Sequence, residues 1–449
     1  LKGKEINFKT SREMIVMKFG GSSLADADGV KQVAEIVKKY LAKNPVVVVS
    51  AHNNTTDELV CAVENASKGI LDIEGIKAAH YKIANDLGVE IPGDIIEEFE
   101  ALFKGISVVK GVTPRVLDYA MSFGERFSSR IVAAYFNKIG IASESKDSFD
   151  IGMITDSKFG SASPTSEAEK LLRSHILKSE AVLVITGFIG KDENGNITTF
   201  GRNGSDYTAS IIGAALVAEE IQIWTDVDGV LSADPSIVKD VKPVLYLSFE
   251  EAKEIGYYNA KILRPAFLLP AIKKGIPIRV LNTFKPNFAG TTILARIPPS
   301  EKQKIKSIVY KDKLVAVYVR WDTAAEGSFV PKILEVFNKN GIIVDMISSS
   351  IGSGLFVVEN GKAENFQVLV KDIFPDLKAV IKSEMAIISV VGEGVTERVE
   401  VADSIHQLFS EANLKIFASC VTSNTGFVLV VEGKDLKKAV NMLQKNFCE

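Results

Sequence analysis

The sequence predicts an α/β fold: an N-terminal domain built on a largely parallel central sheet, followed by two C-terminal α+β domains. Three observations carry this. From Met14 to about Leu294, short runs rich in Val and Ile alternate with helical patterns, as strands buried on both faces and joined by crossover helices do. Residues 57–138 interrupt the alternation with helical pattern alone. Beyond residue 304 the order strand–helix–strand–strand occurs twice. A chain of 449 residues is too long for one core, so two or three domains are expected.

The strand candidates, in order, are MIVMKF from Met14, PVVVVS from Pro45, AVLVIT from Ala181, EIQIWTD from Glu220 and IPIRVL from Ile276. Each is short and mostly apolar, without the polar alternation of a half-exposed strand. GVKQVAEIVKKYLAK and GSDYTASIIGAALVAEE read as helices between them, the latter with Ala209, Ile212 and Leu216 on its apolar face. KDENGN reads as a hairpin tip, and RIPPSEKQK (296–304) as a linker. The first repeat then reads KLVAVYVRW, SFVPKILEVFNKNG, IIVDMISSS and GLFVVE. The second reads MAIISVVG, TERVEVADSIHQLFSEAN, LKIFASC and TGFVLVVEG, closed by the helix DLKKAVNMLQKN. Each is a small α+β unit of ferredoxin-like type. Boundaries are expected at 14–295, 305–383 and 384–449, with the strand near 305–310 available to the last domain.

Composition excludes several function classes. A net charge of −3 offers no electrostatic footprint for nucleic acid. Cys61, Cys420 and Cys448 are odd in number and form no CxxC, which points to a reducing, cytoplasmic setting. The longest apolar runs are too short to span a bilayer, so no membrane partner is expected. The polar start LKGKEINFKTSR shows no secretory signal and is set aside from the fold.

Four motifs could carry chemistry. In VMKFGGSSLAD a strand ends at Phe19, and Gly20, Gly21 and Ser22 follow before a helix. Adjacent glycines with a helix N-terminus suit phosphate, and Lys18 lies at the strand's C-terminal end, where open α/β sheets bind ligands. Read alone, the same residues could be a tight turn beside a solvated lysine. No GxxxxGK[ST] is present, so this is not a P-loop. In GRNGSDYTA, Ser205 or Asp206 can cap the helix. Arg202 offers a fork for a carboxylate or phosphate, or stands in water. In IWTDVDGVLSADP, Thr225, Asp226 and Asp228 end a strand, suited to Mg²⁺, ribose or base, or simply to a capped turn. In YYNAKILRP, Lys261 tells nothing by itself.

Together and in this order, KFGGSS, GRNGSDYTA, WTDVDGV…DP and NAKILRP resemble the amino-acid kinase family, specifically the aspartokinases, whose usual forms are KFGGTS, GRGGSDYTA, WTDVxG…DPR and GAKVLHP. The resemblance spans nearly the whole chain, because aspartokinases end in a pair of ACT domains, small α+β modules that bind amino acids. It implies an N-terminal amino-acid-kinase domain and two ACT domains.

It also implies roles. Lys18 resembles the lysine that contacts the transferring phosphoryl group, and Asp206 the carboxylate that orients it. Arg202 resembles the clamp on the substrate α-carboxylate, Glu125 the acceptor of its ammonium, and Thr56 a further substrate contact. Gly204 and Ser205 resemble the substrate and phosphate cradle. Gly20, Gly21, Ser22, Thr225, Asp226 and Lys261 resemble nucleotide contacts. Asn203 replaces a glycine, and fits if its backbone is left-handed. SAHNNTT replaces the usual small-residue loop, and Leu231 and Ser236 stand where many relatives have Tyr and Arg.

The implied reaction is transfer from ATP to the side-chain carboxylate of L-aspartate, with Mg²⁺ carried by the nucleotide and no metal ligands from the protein. Such a carboxylate, with a pKa near ~3.9, needs no general base, and the central motifs contain no histidine. A kinase acting on glutamate or N-acetylglutamate, a UMP kinase and a non-catalytic amino-acid sensor are the alternatives. ACT repeats disfavour the other kinases, and Lys18, Arg202 and Asp206 together disfavour the sensor. The end at Glu449 implies an enzyme without a fused dehydrogenase. SFVPKILEVFNKNGIIVDMISSS resembles the effector pocket of lysine-sensitive aspartokinases, with Phe329, Asp345, Ser348, Ser349 and Ser350 around L-lysine. ACT modules imply a homodimer or dimer of dimers.

Overall fold

The computed structural model describes residues 14–258, 264–302, 304–321, 329–359, 378–395 and 397–448. Its compact units are Leu1–Val230 with Leu245–Phe249 and Arg264–Ile297, and Leu231–Val244 with Glu250–Leu263 and Pro298–Glu449.

In the first unit the strands are β1 (Ile15–Phe19), β2 (Val46–Val49), β3 (Ser143–Lys146), β4 (Ile154–Thr155), β5 (Val182–Thr186), β6 (Ile189–Asp192), β7 (Ile197–Thr199), β8 (Glu220–Thr225), β9 (Tyr246–Ser248), β10 (Ile278–Asn282) and β11 (Thr291–Leu294). Eight of these form one sheet in the order β3-β5-β2-β1-β8-β10-β11-β9. Pairing is parallel except between β10 and β11. All five strands expected from the sequence are present. β1 and β2 are buried along their whole length, which is why they read as continuous apolar runs. The expected hairpin is β6–β7, which pair antiparallel around the KDENGN tip.

The helices of this unit are α1 (Ala27–Lys39), α2 (Thr55–Ser67), α3 (Glu74–Leu87), α4 (Gly93–Val109), α5 (Pro114–Lys138), α6 (Ala168–Ile176) and α7 (Gly204–Leu216). α2 to α5 are the expected helical insertion. Its last two helices, α4 and α5, meet in an aromatic cluster in which Phe99 lies 4.8 Å from Phe103, 5.2 Å from Phe123 and 5.4 Å from Phe127, ring centre to ring centre. Such pairs contribute about 0.5–1.5 kcal/mol each beyond the area they bury. α7 is buried on nearly every side and lies beneath the central strands.

The chain continues through α8 (Phe249–Tyr258) and α9 (Pro265–Lys273). The C-terminal region folds as β12 (Ser307–Arg320), α10 (Val330–Lys339), β13 (Val344–Ser350) and β14 (Ser353–Glu359), then β15 (Lys378–Val391), α11 (Val399–Glu411), β16 (Ala418–Ser423), β17 (Gly426–Glu432) and α12 (Leu436–Phe447). The doubled strand–helix–strand–strand order is there, but the two halves share one antiparallel sheet, β13-β14-β12-β15-β17-β16. β12 and β15 run side by side through both halves. Ser307–Lys311 pairs with Val391–Ile387, and Leu314–Arg320 pairs with β14 as well. Ile308 accordingly packs with Ile388, Phe409, Leu429 and Leu443. Val317, Phe337 and Phe356 belong to the other half's core.

Candidate active site

The C-terminal ends of β1, β2 and β8 lie side by side, with Phe19 opposite both Val49 and Trp224. Chain order departs from β1 toward β2 on one side and toward β8 on the other, a switch point of the kind where open α/β sheets hold ligands. Loops from these strands are knitted together there. Gly20 N–H donates to Trp224 O (3.1 Å), Ser50 N–H to Phe19 O (3.1 Å) and Asn53 N–H to Gly21 O (3.1 Å).

Gly21 is glycine because of close approach. Its backbone is right-handed, but a Cβ would lie 2.9 Å from Ala51 O and 3.0 Å from Asn53 O. The two serines divide their work. Ser23 is buried, bonded to Thr283 Oγ1 at 2.7 Å, and ties the loop to the strand beyond. Ser22 remains partly exposed.

Lys18 emerges at this edge, 9% exposed. Its Nζ lies 2.7 Å from Oδ1 of Asp206. The sequence offered Ser205 or Asp206 as caps of α7. Neither is the capping residue, because the cap position is Asn203, in left-handed backbone at φ 62° and with no side-chain capping bond. The helix starts two residues earlier than capping by Ser205 would require, so Asp206 sits inside its first turn and faces Lys18. Asn203 takes the left-handed conformation expected of the residue replacing glycine.

The N-terminus of α7 is pressed against the end of β5. A Cβ on Gly187 would lie 2.5 Å from Ser205 Cβ, and one on Gly204 would lie 2.8 Å from Phe188 Cδ2. Phe188 itself has φ +68°, with Ile189 N–H closing back on Gly187 O at 2.8 Å. This γ-turn is costly for a bulky residue.

Glu125, from α5, is 3% exposed. Oε1 accepts the Ala51 N–H at 3.1 Å, and Oε2 is buried with no hydrogen-bond partner. Burial pushes this carboxyl up to about 8, against the weaker pull of the Ala51 N–H and the Lys18 charge. Thr56 is half-buried on the first turn of α2. Its neighbour Thr55 is buried instead and bonds back to His52 O at 2.6 Å.

Arg202 is exposed. It lines an open cleft of about 420 Å³ with Ser161, Phe200, Tyr207 and Arg264. Thr225 Oγ1 donates to Asp226 Oδ1 at 3.0 Å, both at the surface. Asp228 is committed elsewhere. Lys285 Nζ at 2.7 Å and Asn282 Nδ2 at 2.6 Å hold it, and they keep its carboxyl below the usual range. Lys261 lies outside the described residues.

Two participants had no signal in the sequence. Asp118, 1% exposed, accepts the N–H groups of Gly160 (2.9 Å) and Thr199 (2.8 Å) and the Thr199 hydroxyl (3.0 Å). It thereby anchors the loop that lines the Arg202 cleft. His52, discussed below, looked like a departure in a loop.

In the second unit, Asp345 is not open as the effector reading expects. Its side chain is 1% exposed, and Lys311 Nζ holds both carboxylate oxygens, at 2.8 and 3.0 Å. The Tyr257 hydroxyl adds a third contact at 3.1 Å. Ser348, Ser349 and Ser350 are exposed along β13, and Phe329 precedes α10, 5.7 Å from Trp321 ring to ring.

Residues 13–282 match the family model described as amino acid kinase family, and residues 388–447 match an ACT domain. Aspartokinase 1, chloroplastic, of Arabidopsis thaliana is 34% identical over 97% of this chain and 80% of its own. The chain belongs to the aspartokinases of the amino acid kinase family. Among solved structures, aspartokinase III of E. coli in complex with aspartate and ADP (R-state) superposes with a TM-score of 0.81 at 26% identity, covering 97% of this chain and all of that one. The same enzyme with lysine and aspartate (T-state) gives 0.76 at 26% identity over the same shares. No described helix of this aspartokinase is long and apolar enough to cross a membrane.

Proposed function

We propose that this aspartokinase transfers the γ-phosphoryl group of ATP to the side-chain carboxylate of L-aspartate, giving ADP and 4-phospho-L-aspartate, the first step toward lysine, threonine and methionine. The observation that carries this reading is the buried Lys18–Asp206 pair at the mouth of the glycine loop. The attacking carboxylate is already ionised at neutral pH, so the barrier is repulsion between two anions. Positioning and charge neutralisation then dominate catalysis. Asp206 fixes Lys18 Nζ where negative charge shifts between the phosphates. The buried Oε2 of Glu125 suits the substrate ammonium, and the exposed Arg202 suits its α-carboxylate. Thr56, Gly204 and Ser205 are the further substrate contacts of this reading, and Gly20, Gly21, Ser22, Thr225 and Asp226 its nucleotide contacts, with Lys261, outside the described residues, assigned to the nucleotide by the resemblance alone. Mg²⁺ in this reading is carried by the nucleotide and held chiefly by phosphate oxygens. When bound, it supplies part of the charge neutralisation. ADP release, measured by a coupled assay with L-aspartate, L-glutamate and N-acetylglutamate in turn, tests the reading, which fails if aspartate does not stimulate release.

We further propose that L-lysine inhibits the enzyme through Phe329, Asp345 and Ser348–Ser350, acting in a homodimer or dimer of dimers. The ion pair already present supports the chemistry of this pocket. A primary ammonium, that of Lys311, satisfies Asp345, so an effector's amino group would take over a position suited to it.

A further inference from the structure

The loop between β2 and α2 touches both halves of the proposed site. Its Ala51 N–H holds Glu125, and its Asn53 N–H holds Gly21 O. One side chain secures it from behind. His52 Nδ1 lies 2.5 Å from Leu24 O. A carbonyl can only accept, so Nδ1 carries the proton and donates. In the neutral ring, Nε2 is then a bare acceptor, and it is buried without a partner. The same arrangement recurs beside it. His80, on α3, places Nδ1 2.7 Å from Ile76 O and leaves its own Nε2 buried and unpartnered. The rings meet edge-on, 5.5 Å apart, with Phe127 of α5 4.8 Å from His80. His52 and His80 are 2% and 1% exposed.

A core histidine that merely fills space could stand anywhere. This one ties the backbone that meets Glu125 to the turn that follows the glycine loop, and Asn53 beside it is held left-handed at φ 46°. The groups facing the pair are Leu24 O from the turn, Ile76 O within α3 and the apolar ring of Phe127 from α5. Glu125 of α5, which meets the loop at Ala51, spends its bonded oxygen on the Ala51 N–H. An added proton on either Nε2 would therefore find no acceptor and would oppose any charge on its neighbour.

We propose that His52, buried beside His80, is a positioning residue for phosphoryl transfer, and that protonating the pair unlatches the 50–55 loop from the glycine loop. This rests on the aspartate kinase reading above. It also gives the helical insertion a task, since α3 supplies the ring that packs against His52. Burial, with His80 as second cause, pushes the His52 imidazole down to about 3, and burial lowers His80 too. Both rings are protonated more readily in the opened loop than in the closed one. The closed loop is thus favoured above the ordinary histidine range and loses its advantage as pH falls below about 6.5.

The test compares His52→Leu and His52→Asn with the wild type, by kcat and KM for both substrates from pH 5 to 8, by ADP affinity from calorimetry and by thermal midpoint. Leucine removes the donor to Leu24 O. It should lower kcat/KM by about tenfold or more. Asparagine can donate from nearly the place of Nδ1 and should recover to within about threefold at pH 7.5. Because asparagine does not titrate, its acid limb should move to lower pH than that of the wild type. A leucine variant with unchanged kcat/KM, whatever its thermal midpoint, overturns the proposal. If leucine does not fold, the asparagine variant decides, and an unshifted acid limb overturns the proposal. Absence of aspartate-dependent ADP release in the wild type would instead sink the kinase reading. The ADP affinities of the same variants would then carry the comparison, and equal affinities at pH 5.5 and 7.5 would overturn the proposal.

Discussion

At the scale of the residue, the site depends on a few charges removed from water. Lys18 and Asp206 are each about one-tenth exposed on their side chains, so breaking the pair leaves an uncompensated charge in a poorly solvated place. Lys18→Met should reduce kcat by about a hundredfold or more, roughly 2.7 kcal/mol, while changing the aspartate KM less than about threefold. Steady-state kinetics separate the two. Glu125 makes a pH prediction of unusual sign. Its carboxyl, near 8 when the site is empty against about 4.5 in an unconstrained chain, holds a proton in the native state that the unfolded state has lost. Stability of the empty protein should therefore fall as pH rises through that window, by at most about 1.4 kcal/mol per unit. Denaturant midpoints from pH 5 to 8 measure that slope, and Glu125→Gln should flatten it. In the proposed role Glu125 must be ionised to take aspartate's ammonium, so binding at pH 7 should release close to one proton. Calorimetry in buffers of different ionisation enthalpy would detect this, and Glu125→Gln should abolish it.

At the scale of the element, two adjacent glycines carry different duties. A Cβ on Gly20 would meet Trp224 O at 3.5 Å and Lys18 Nζ at 3.7 Å, which is ordinary contact, whereas one on Gly21 would sit within 3.0 Å of two carbonyl oxygens. Gly21→Ala should force the glycine loop away from the 51–53 backbone. It should lower stability by about 1–3 kcal/mol and raise the ATP KM. Gly20→Ala should leave the thermal midpoint near that of the wild type. Equal midpoints for the two variants would refute this division. α7 shows the same dependence on context. The helix and its apolar positions are legible in its sequence, but whether Asp206 caps or pairs depends on where the helix begins, and Asn203 sets that by turning left-handed immediately before Gly204.

At the scale of the whole molecule, the C-terminal sheet ends in two edge strands, β13 and β16. Ile347 on the first is 40% exposed and Val421 on the second 54%. Edges with apolar side chains invite pairing unless covered, so a homodimer or dimer of dimers is expected. Sedimentation showing only monomer at micromolar concentration would contradict it. Feedback should depend on Asp345. L-lysine alone should inhibit, and Asp345→Ala should remove that inhibition while leaving turnover without lysine. Activity against lysine and threonine, separately and mixed, is the measurement. Inhibition by threonine alone would exclude the lysine assignment, and lysine inhibition that survives Asp345→Ala would exclude the pocket. Lysine can shift the enzyme only as far as its affinities for the active and less active states differ.

The alternating architecture, the helical insertion and the doubled C-terminal unit were legible in the sequence, and so were Lys18 and Asp206 as candidates, which the fold brings together. Buried strands announce themselves through unbroken Val and Ile runs, and glycines mark places where backbones nearly touch. It was silent on β3, whose polar residues Ser143–Lys146 lie at the sheet's edge, and on β9, only three residues long, because neither carries a period. It could not show that the two C-terminal units share one sheet, since strand pairing depends on distant partners rather than on local pattern. Nor could it show that Lys311 already holds Asp345, that Asp118 anchors the Arg202 cleft, or that His52 and His80 meet with their Nε2 atoms bare. Those are facts of which side chains become neighbours after collapse. Only the tertiary structure decides them, because the cost of burying a charge or a lone pair depends on everything that surrounds it.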